Sequence, residues 1–495
     1  MLSRGRSALR GVAARGMALA VGAATVVSAG LAAAPAAHAS PAAATGVLRW
    51  TPCDAATKPG AECATLSVPV DWARPAGPKL DLAVARRQAT DPGARVGSMV
   101  FGPGGPGDSG VKMVVDRIGR FSSEVRRGFD IVSFDPRGVG GSSPVVCSDD
   151  LLADRPSPEL RSQADFDATM AYNRRLRADC RARTGPVFDH LDTAQTVRDL
   201  DALRAALGER KLTFHGSSYG TVLGAQYAET YPRRVRAMVL ESVMDHSVPT
   251  TREFLRSEAA TAEDSFREFV KWCDAAAECA LHGLDVRTVW QGLLDRAGRG
   301  ELEDPAKPGI SLSPSDLVNK TAFRKFYSAD YAGLAEAIAE MRASRPLPAS
   351  PTSTEPLHPA TPVFCSDWRL PVRDYQEYAS LVSMMRTTAP DLPYLLPVHM
   401  VAACLGAPTA NPQHRLRVRG APPILLSNAL HDPATGYAWA VSVARQLGRS
   451  GVLLTYEGHG HGSVTSGPCM ERAVDSYLTD LEVPPRGTSC PAVPF

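Results

Sequence analysis

The run Lys211-Leu212-Thr213-Phe214-His215-Gly216-Ser217-Ser218-Tyr219-Gly220 holds a serine between two glycines at the spacing Gly-x-Ser-x-Gly. Leu212 to His215 is short, apolar and β-compatible, and Thr221 to Tyr231 is small and apolar enough for a buried helix. Strand, tight turn and helix in that order make a nucleophile elbow, in which a strained corner exposes the serine hydroxyl at the top of a sheet. Ser218 is therefore a candidate nucleophile for acyl transfer. That chemistry also needs a base for the hydroxyl proton, an acid that fixes the base's tautomer, and backbone amides for the oxyanion. With such an elbow the partners follow in the order serine, acid, histidine. Asp432 lies just past the apolar run Pro423 to Asn428, and His459 and His461 lie just past Val452 to Tyr456. An aspartate before a proline is also a common turn former. A His-x-His pair is also a metal-ligand pattern, but no carboxylate or cysteine at ligand spacing accompanies it in the sequence, and no metal is expected.

Gly102-Pro103-Gly104-Gly105-Pro106-Gly107-Asp108-Ser109-Gly110 follows another short apolar strand, Gly97 to Phe101. Gly102-x-Gly104-x-x-Gly107 also matches a dinucleotide fingerprint. Pro103 and Pro106 remove backbone N–H groups that a phosphate would need. The ribose-binding acid would have to be Asp130 or Asp135, and Asp135 comes later than the usual spacing of about 20 residues. The same loop is where an oxyanion hole is built beside an elbow, and no cofactor is expected.

These groups need a sheet whose strand ends bring them to one edge. Ala64 to Val70 and Leu80 to Ala85 read as an opening antiparallel hairpin. Phe129 to Phe134 is the next strand, closed by Asp135-Pro136-Arg137-Gly138. Asp192 or Thr193 caps a helix through Leu207, with Gly208 as its stop. Arg236 to Val243, Pro423 to Asn428 and Val452 to Tyr456 are further strands, with a helix near Trp439 to Leu447 between the last two. Strands alternating with helices predict an α/β fold with a mostly parallel central sheet. From about Thr250 to Arg419 the pattern turns helical, with helices over Arg252 to Ala277 and Asp330 to Ala343 and a Pro/Ser/Thr-rich loop, Ser344 to Pro362. This predicts a core over 40–249 and 420–495 and a large, mainly helical cap over 250–419.

Residues 1–39 read as a secretory signal peptide. Arg4, Arg6, Arg10 and Arg15 form a basic head, Met17 to Ala34 is apolar, and Ala37-His38-Ala39 is a cleavage site. Without that leader the chain keeps 50 basic and 52 acidic residues, net −2. So even a balance gives no electrostatic reason to expect nucleic acid or a membrane surface as partner. All ten cysteines follow the leader: Cys53, Cys63, Cys147, Cys180, Cys273, Cys279, Cys365, Cys404, Cys469 and Cys490. An even number in an exported chain reads as disulfides, and neighbours pairing in order would close the shortest loops.

Read together, Trp50 to Cys53, Val68 to Trp72, Gly102 to Gly110, Asp135 to Gly138, Gly216 to Thr221, Asp432-Pro433, Gly458 to His461 and the tail Cys469, Tyr477-Leu478 and Gly487 to Cys490 carry a resemblance. The chain resembles the secreted bacterial tripeptidyl aminopeptidases, relatives of prolyl iminopeptidase within the α/β-hydrolases. The resemblance implies His461 rather than His459 as base, and the amides of Gly105 and Tyr219 as oxyanion hole. It implies a secreted serine exopeptidase acting on peptides, releasing short peptides, tripeptides foremost, from free N-termini. A carboxylesterase or lipase with the same triad is the alternative. Two departures stand out. Gly102-Pro103 occupies a place where the family often has His or Asn, and Glu241-Ser242 one where it often has Asp-Gly, which bears on substrate preference. An exopeptidase must hold a free α-amine. Glu241 and Asp245 at a strand end are candidates, as are Glu253, Glu258 and Glu263 in the first cap helix, though each also fits a solvated helix face or turn.

Overall fold

The computed structural model describes residues 46–494 apart from 55–57, 158, 305–306, 346–360 and 394. The leader lies outside the described residues, as does most of the Pro-rich stretch. The strands are β1 (Thr51–Pro52), β2 (Ala61–Pro69), β3 (Lys79–Arg87), β4 (Gly97–Gly102), β5 (Phe129–Phe134), β6 (Leu212–Ser217), β7 (Val235–Glu241), β8 (Glu303–Asp304), β9 (Lys307–Ser311), β10 (Ile424–His431), β11 (Gly451–His459) and β12 (Ser489–Cys490). All but β8 and β9 join one sheet in the order β1-β2-β3-β5-β4-β6-β7-β10-β11-β12. The β1-β2-β3 hairpins meet β5 antiparallel. From β5 to β12 every pairing is parallel.

β4, β5 and β6 are buried at every position. Helices cover both faces, as a parallel sheet requires. On one face Val114, Phe121, Met470, Val474 and Tyr477 pack in a cluster with Phe101, Ile131 and Val239. On the other, Val197, Leu200 and Leu203 of the helix Thr193–Ala206 join Phe214, Tyr227 and Leu240, and this cluster continues into the region between β7 and β10. That region is mainly helical, with the long helix Thr251–Ala275, the ribbon β8-β9 and shorter helices including Arg324–Tyr327, Tyr331–Ala343 and Thr361–Asp367. Its interior is aromatic: Phe266, Phe269, Trp290, Phe326 and Tyr331 are all essentially buried. The sequence reading assigned no element to Gln163–Thr184, a helix of 22 residues.

The register explains why the candidate loops meet. Gly102 pairs with Gly216, Ser217 with Glu241, and Glu241 with Ser427. The C-terminal ends of β4, β6 and β7 are therefore level with one another and with Ser427 within β10. Glycine is required where they converge. A Cβ at Gly102, Gly216 or Gly224 would enter the Phe214 ring, at 2.4, 2.7 and 2.7 Å. A Cβ at Gly220 would lie 2.2 Å from the Gly102 carbonyl oxygen. The elbow glycines thus let the helix Gly220–Thr230 cross β4 and β6 at backbone contact while Phe214 fills the space beneath.

The cysteines are bonded in chain order: Cys53–Cys63, Cys147–Cys180, Cys273–Cys279, Cys365–Cys404 and Cys469–Cys490.

Candidate active site

Ser218 follows β6 directly and takes φ = +55°, a left-handed conformation that costs a non-glycine residue free energy. Three bonds hold it there. Its N–H donates to the Glu241 carbonyl at 2.8 Å, and its carbonyl accepts from Thr221 N–H at 2.9 Å and Thr221 Oγ1 at 2.6 Å. Gly104 crosses beside it, so close that an added Cβ would sit 3.0 Å from the Ser218 Cβ. Next in the loop is Gly105, at φ = +102°. Tyr219 opens the elbow helix, where the first N–H groups have no helical acceptor and the helix dipole is positive. Its phenol donates at 2.7 Å to Asp367 of the helix Thr361–Asp367. Asp367 is fully buried and also accepts from Thr193 and Asn411. The residue after the nucleophile is thereby tied to the segment inserted between β7 and β10.

Asp432 follows β10 and is 1% exposed. Its Oδ1 accepts from the N–H groups of Ala434 and Thr435, both at 2.9 Å, and its Oδ2 from Thr435 Oγ1 at 2.9 Å. His461 Nδ1 lies 2.9 Å from Oδ1 and 3.1 Å from Oδ2. An ionised carboxylate only accepts, so Nδ1 carries the proton and Nε2 presents a lone pair. Nε2 is buried with no hydrogen-bond partner among the described residues. Gly460 and Gly462, at φ = +96° and +116°, turn the chain on either side of this histidine.

His459 is placed differently. Its Nδ1 is 3.0 Å from the Tyr331 hydroxyl and its ring stacks on His431. Burial, helped by His431, lowers it to about 4, so it stays neutral. His431 in turn pairs with Asp264 at 2.7 Å. Asp264, Glu268 and His431 bring three ligand-type atoms within 4.8 Å of one another, carboxylates that sequence spacing did not reveal. Both acids already hold cations, Asp264 with Arg267 and Glu268 with Lys271. The group is an ion-pair network joining Thr251–Ala275 to the Asp432 loop.

The two leading amine-binding candidates are buried and already bonded. Glu241 is 2% exposed and its carboxylate is fully engaged. Oε2 accepts from Arg120 at 2.6 Å and faces His215 Nε2 at 3.1 Å, while Oε1 accepts from the N–H groups of Ser463 and Val464 at 2.8 and 3.0 Å. Burial opposes its ionisation, but Arg120 and His215 outweigh that and hold it well below the ordinary carboxylate range. Asp245 is also buried, accepting from Ser247 N–H and Oγ and from Gln446 Nε2 within the turn after β7. Both side chains serve the fold, and a substrate amine would have to break those bonds.

The three cap-helix acids separate as well. Glu253 accepts from the Thr250 hydroxyl, which in turn caps the helix by accepting the Glu253 N–H. Glu263 is buried beside Asp391, accepts its N–H, and is pushed up to about 7 by burial and then by the Asp391 charge. Glu258 sits over the Asp432 loop, on the helix whose Thr261 packs against Gly436. Burial, and then the Asp432 charge, raise its carboxyl to about 8. Among the described residues it has no hydrogen-bond or ion-pair partner, although part of it reaches solvent.

Tyr327 was not anticipated. It ends the short helix Arg324–Tyr327, its ring centroid is 4.2 Å from that of His461, and its carbonyl accepts the His461 N–H at 2.9 Å. Its phenol lies against the Ser218 hydroxyl; although the residue as a whole is 41% exposed, desolvation at that oxygen and then the Asp432 charge raise it above its ordinary range. One tyrosine from the inserted segment therefore touches both elbow serine and histidine. No periodicity or motif marks it in the run Arg324-Lys325-Phe326-Tyr327. Arg120 and His215 were missed for the same reason.

A family model described as "TAP-like protein" matches residues 397–490, which include Asp432 and His461. The chain is 32% identical to the serine protease Hip1 of Mycobacterium tuberculosis, across 90% of this chain and 91% of that one. It is 29% identical to the tripeptidyl aminopeptidase of Streptomyces lividans, across 87% and 83%. It is 31% identical to carboxylesterase B of Mycobacterium tuberculosis, across 87% and 86%. Similarity of that extent, running through both halves of the sheet and the segment between them, makes the chain a member of the TAP-like serine hydrolases of the α/β-hydrolase fold.

Proposed function

We propose that the protein is an exported serine exopeptidase that releases short peptides, tripeptides foremost, from free N-termini. The observation that carries the chemistry is the Asp432–His461 pair, which leaves a buried, unpartnered Nε2 lone pair at the sheet edge where the elbow serine stands. Ser218 Oγ attacks the scissile carbonyl while its proton passes to His461 Nε2. Asp432 holds the imidazole and stabilises its cation. The amides of Gly105 and Tyr219 receive the oxyanion. His461 then returns the proton to the leaving amine as the C–N bond breaks, and water repeats the sequence on the acyl-enzyme.

For the substrate amine we assign Glu258. It is an acid without a partner beside the catalytic aspartate, the condition an incoming ammonium would relieve. The named peptidase relatives and the insertion between β7 and β10, which closes over the sheet edge, support an exopeptidase. Five disulfides and the leader's composition support export. The carboxylesterase relative keeps an esterase as the second reading. Hydrolysis of aminoacyl, dipeptidyl and tripeptidyl anilides, an N-acetylated tripeptidyl anilide and a short-chain ester separates the two. A peptidase cleaves the free tripeptide far faster than its blocked twin. Equal rates on the two, with the ester faster than both, would establish the esterase.

A further inference from the structure

A buried carboxylate is retained only when its bonds compensate the loss of water, and Glu241 has two sets of them that point in different directions. Its own carbonyl accepts the N–H of Ser218. Its side chain reaches across β10 and accepts two successive backbone N–H groups, those of Ser463 and Val464. Ser463 lies two residues after His461, and its hydroxyl meets Ser427 Oγ, within β10, at 2.6 Å. Successive N–H groups turned toward one anion form a backbone nest, and charge-assisted bonds of this kind are among the stronger ones. The other carboxylate oxygen takes Arg120, which also donates at 2.8 Å to Ser217 Oγ, the side chain preceding the nucleophile. His215, three residues before Ser218, closes the set.

We infer that Glu241 is a positioning residue that fixes the distance between nucleophile and base, its main chain holding Ser218 and its carboxylate holding the His461 loop. The inference rests on the triad reading above. Glu241 touches neither substrate nor the reacting atoms. It acts by keeping two loops, contributed by strands that are not neighbours, at a constant separation. A displacement of about 1 Å at a reacting pair costs on the order of 100-fold in rate.

The test is Glu241→Asp, which keeps the charge and Arg120's partner but withdraws the carboxylate by one methylene. Expected are a 10- to 100-fold lower kcat with KM unchanged, and a similar slowing of Ser218 labelling by a fluorophosphonate, in a protein that melts cooperatively. Restoring the reach with Glu241→Gln, whose amide oxygen still accepts from Ser463 and Val464, should recover part of kcat. Wild-type kcat in a folded Glu241→Asp overturns the inference. If Glu241→Asp does not fold, the apolar pair Glu241→Met with Arg120→Met removes the charges together; a folded double variant must lose kcat as well, and full activity overturns the inference. Failure of Ser218 to react with the phosphonate in the unaltered protein would instead sink the triad reading, whatever Glu241 does.

Discussion

Glu258→Gln tests the exopeptidase reading most directly, because it predicts opposite changes in activity and stability. An ion pair to a substrate ammonium that loses one partner costs about 2–5 kcal/mol, or roughly 30- to several-thousand-fold. Part of that is offset before binding begins. With its carboxyl at about 8, Glu258 is ionised in about one molecule in ten at pH 7, and preparing the anion costs about 1.4 kcal/mol. The preference for a free over an N-acetylated tripeptide should therefore be about 3- to several-hundred-fold at pH 7 and should grow as pH approaches 8. Above that the substrate's own α-amine, near 8, loses its proton, so the ratio should peak close to pH 8. Glu258→Gln should bring the ratio close to one at every pH and leave hydrolysis of the blocked substrate nearly unchanged. Stability moves the other way. Unfolded, this acid titrates near 4.5; folded, at about 8. Between those values the folded state binds more protons, so stability falls as pH rises through the window, and the penalty is complete above about 8. Glu258→Gln should thus raise Tm at pH 8 and leave it unchanged at pH 4. Steady-state rates on the paired substrates and melting curves at the two pH values provide both readouts. A retained free-amine preference in Glu258→Gln refutes the anchor, and an unchanged Tm at pH 8 refutes the electrostatic argument behind it.

Ser218→Ala should fold normally and lose several decades of kcat, leaving only what binding and the oxyanion hole supply; labelling of the unaltered protein at any serine other than Ser218 would contradict the assignment. His461→Ala should match Ser218→Ala, whereas His459→Ala, which loses the contacts to Tyr331 and His431, should keep most activity and lose some stability. The reverse pair of phenotypes would move the base by two residues. Tyr327→Phe keeps the ring against His461 and deletes the hydroxyl beside Ser218. Removal of a donor at reacting atoms costs on the order of 10- to 1,000-fold in kcat, and unchanged steady-state kinetics would reduce Tyr327 to a packing residue.

What the sequence disclosed and what it concealed differ in range. The elbow is a local object: two glycines, a strand before and a helix after suffice to identify it, and the Phe214 ring wedged against Gly102, Gly216 and Gly224 is the packing reason for the pattern. Asp432 and His461 were legible because the sheet is regular. Each stands one loop past a buried strand, and the register that levels Gly102, Gly216, Glu241 and Ser427 brings those loops to one edge. Glu241 shows where such reasoning fails. Its position at a strand's C-terminal end is a local fact, and it was found correctly. The direction in which its carboxylate is spent depends on Arg120 and Val464, 121 and 223 residues away, and nothing in the neighbourhood of Glu241 encodes either. Glu258 was indistinguishable from Glu253 and Glu263 for a related reason. On one helix the three differ only in what lies opposite: solvent and a capping threonine, a buried aspartate, or Asp432. An unpartnered carboxyl facing Asp432 is unfavourable for the empty protein, and a fold selected for stability alone would place glutamine there. That cost is the physical argument for a bound cation at this site, and the ammonium of a peptide's free end is the cation that a peptide attacked by Ser218 would bring.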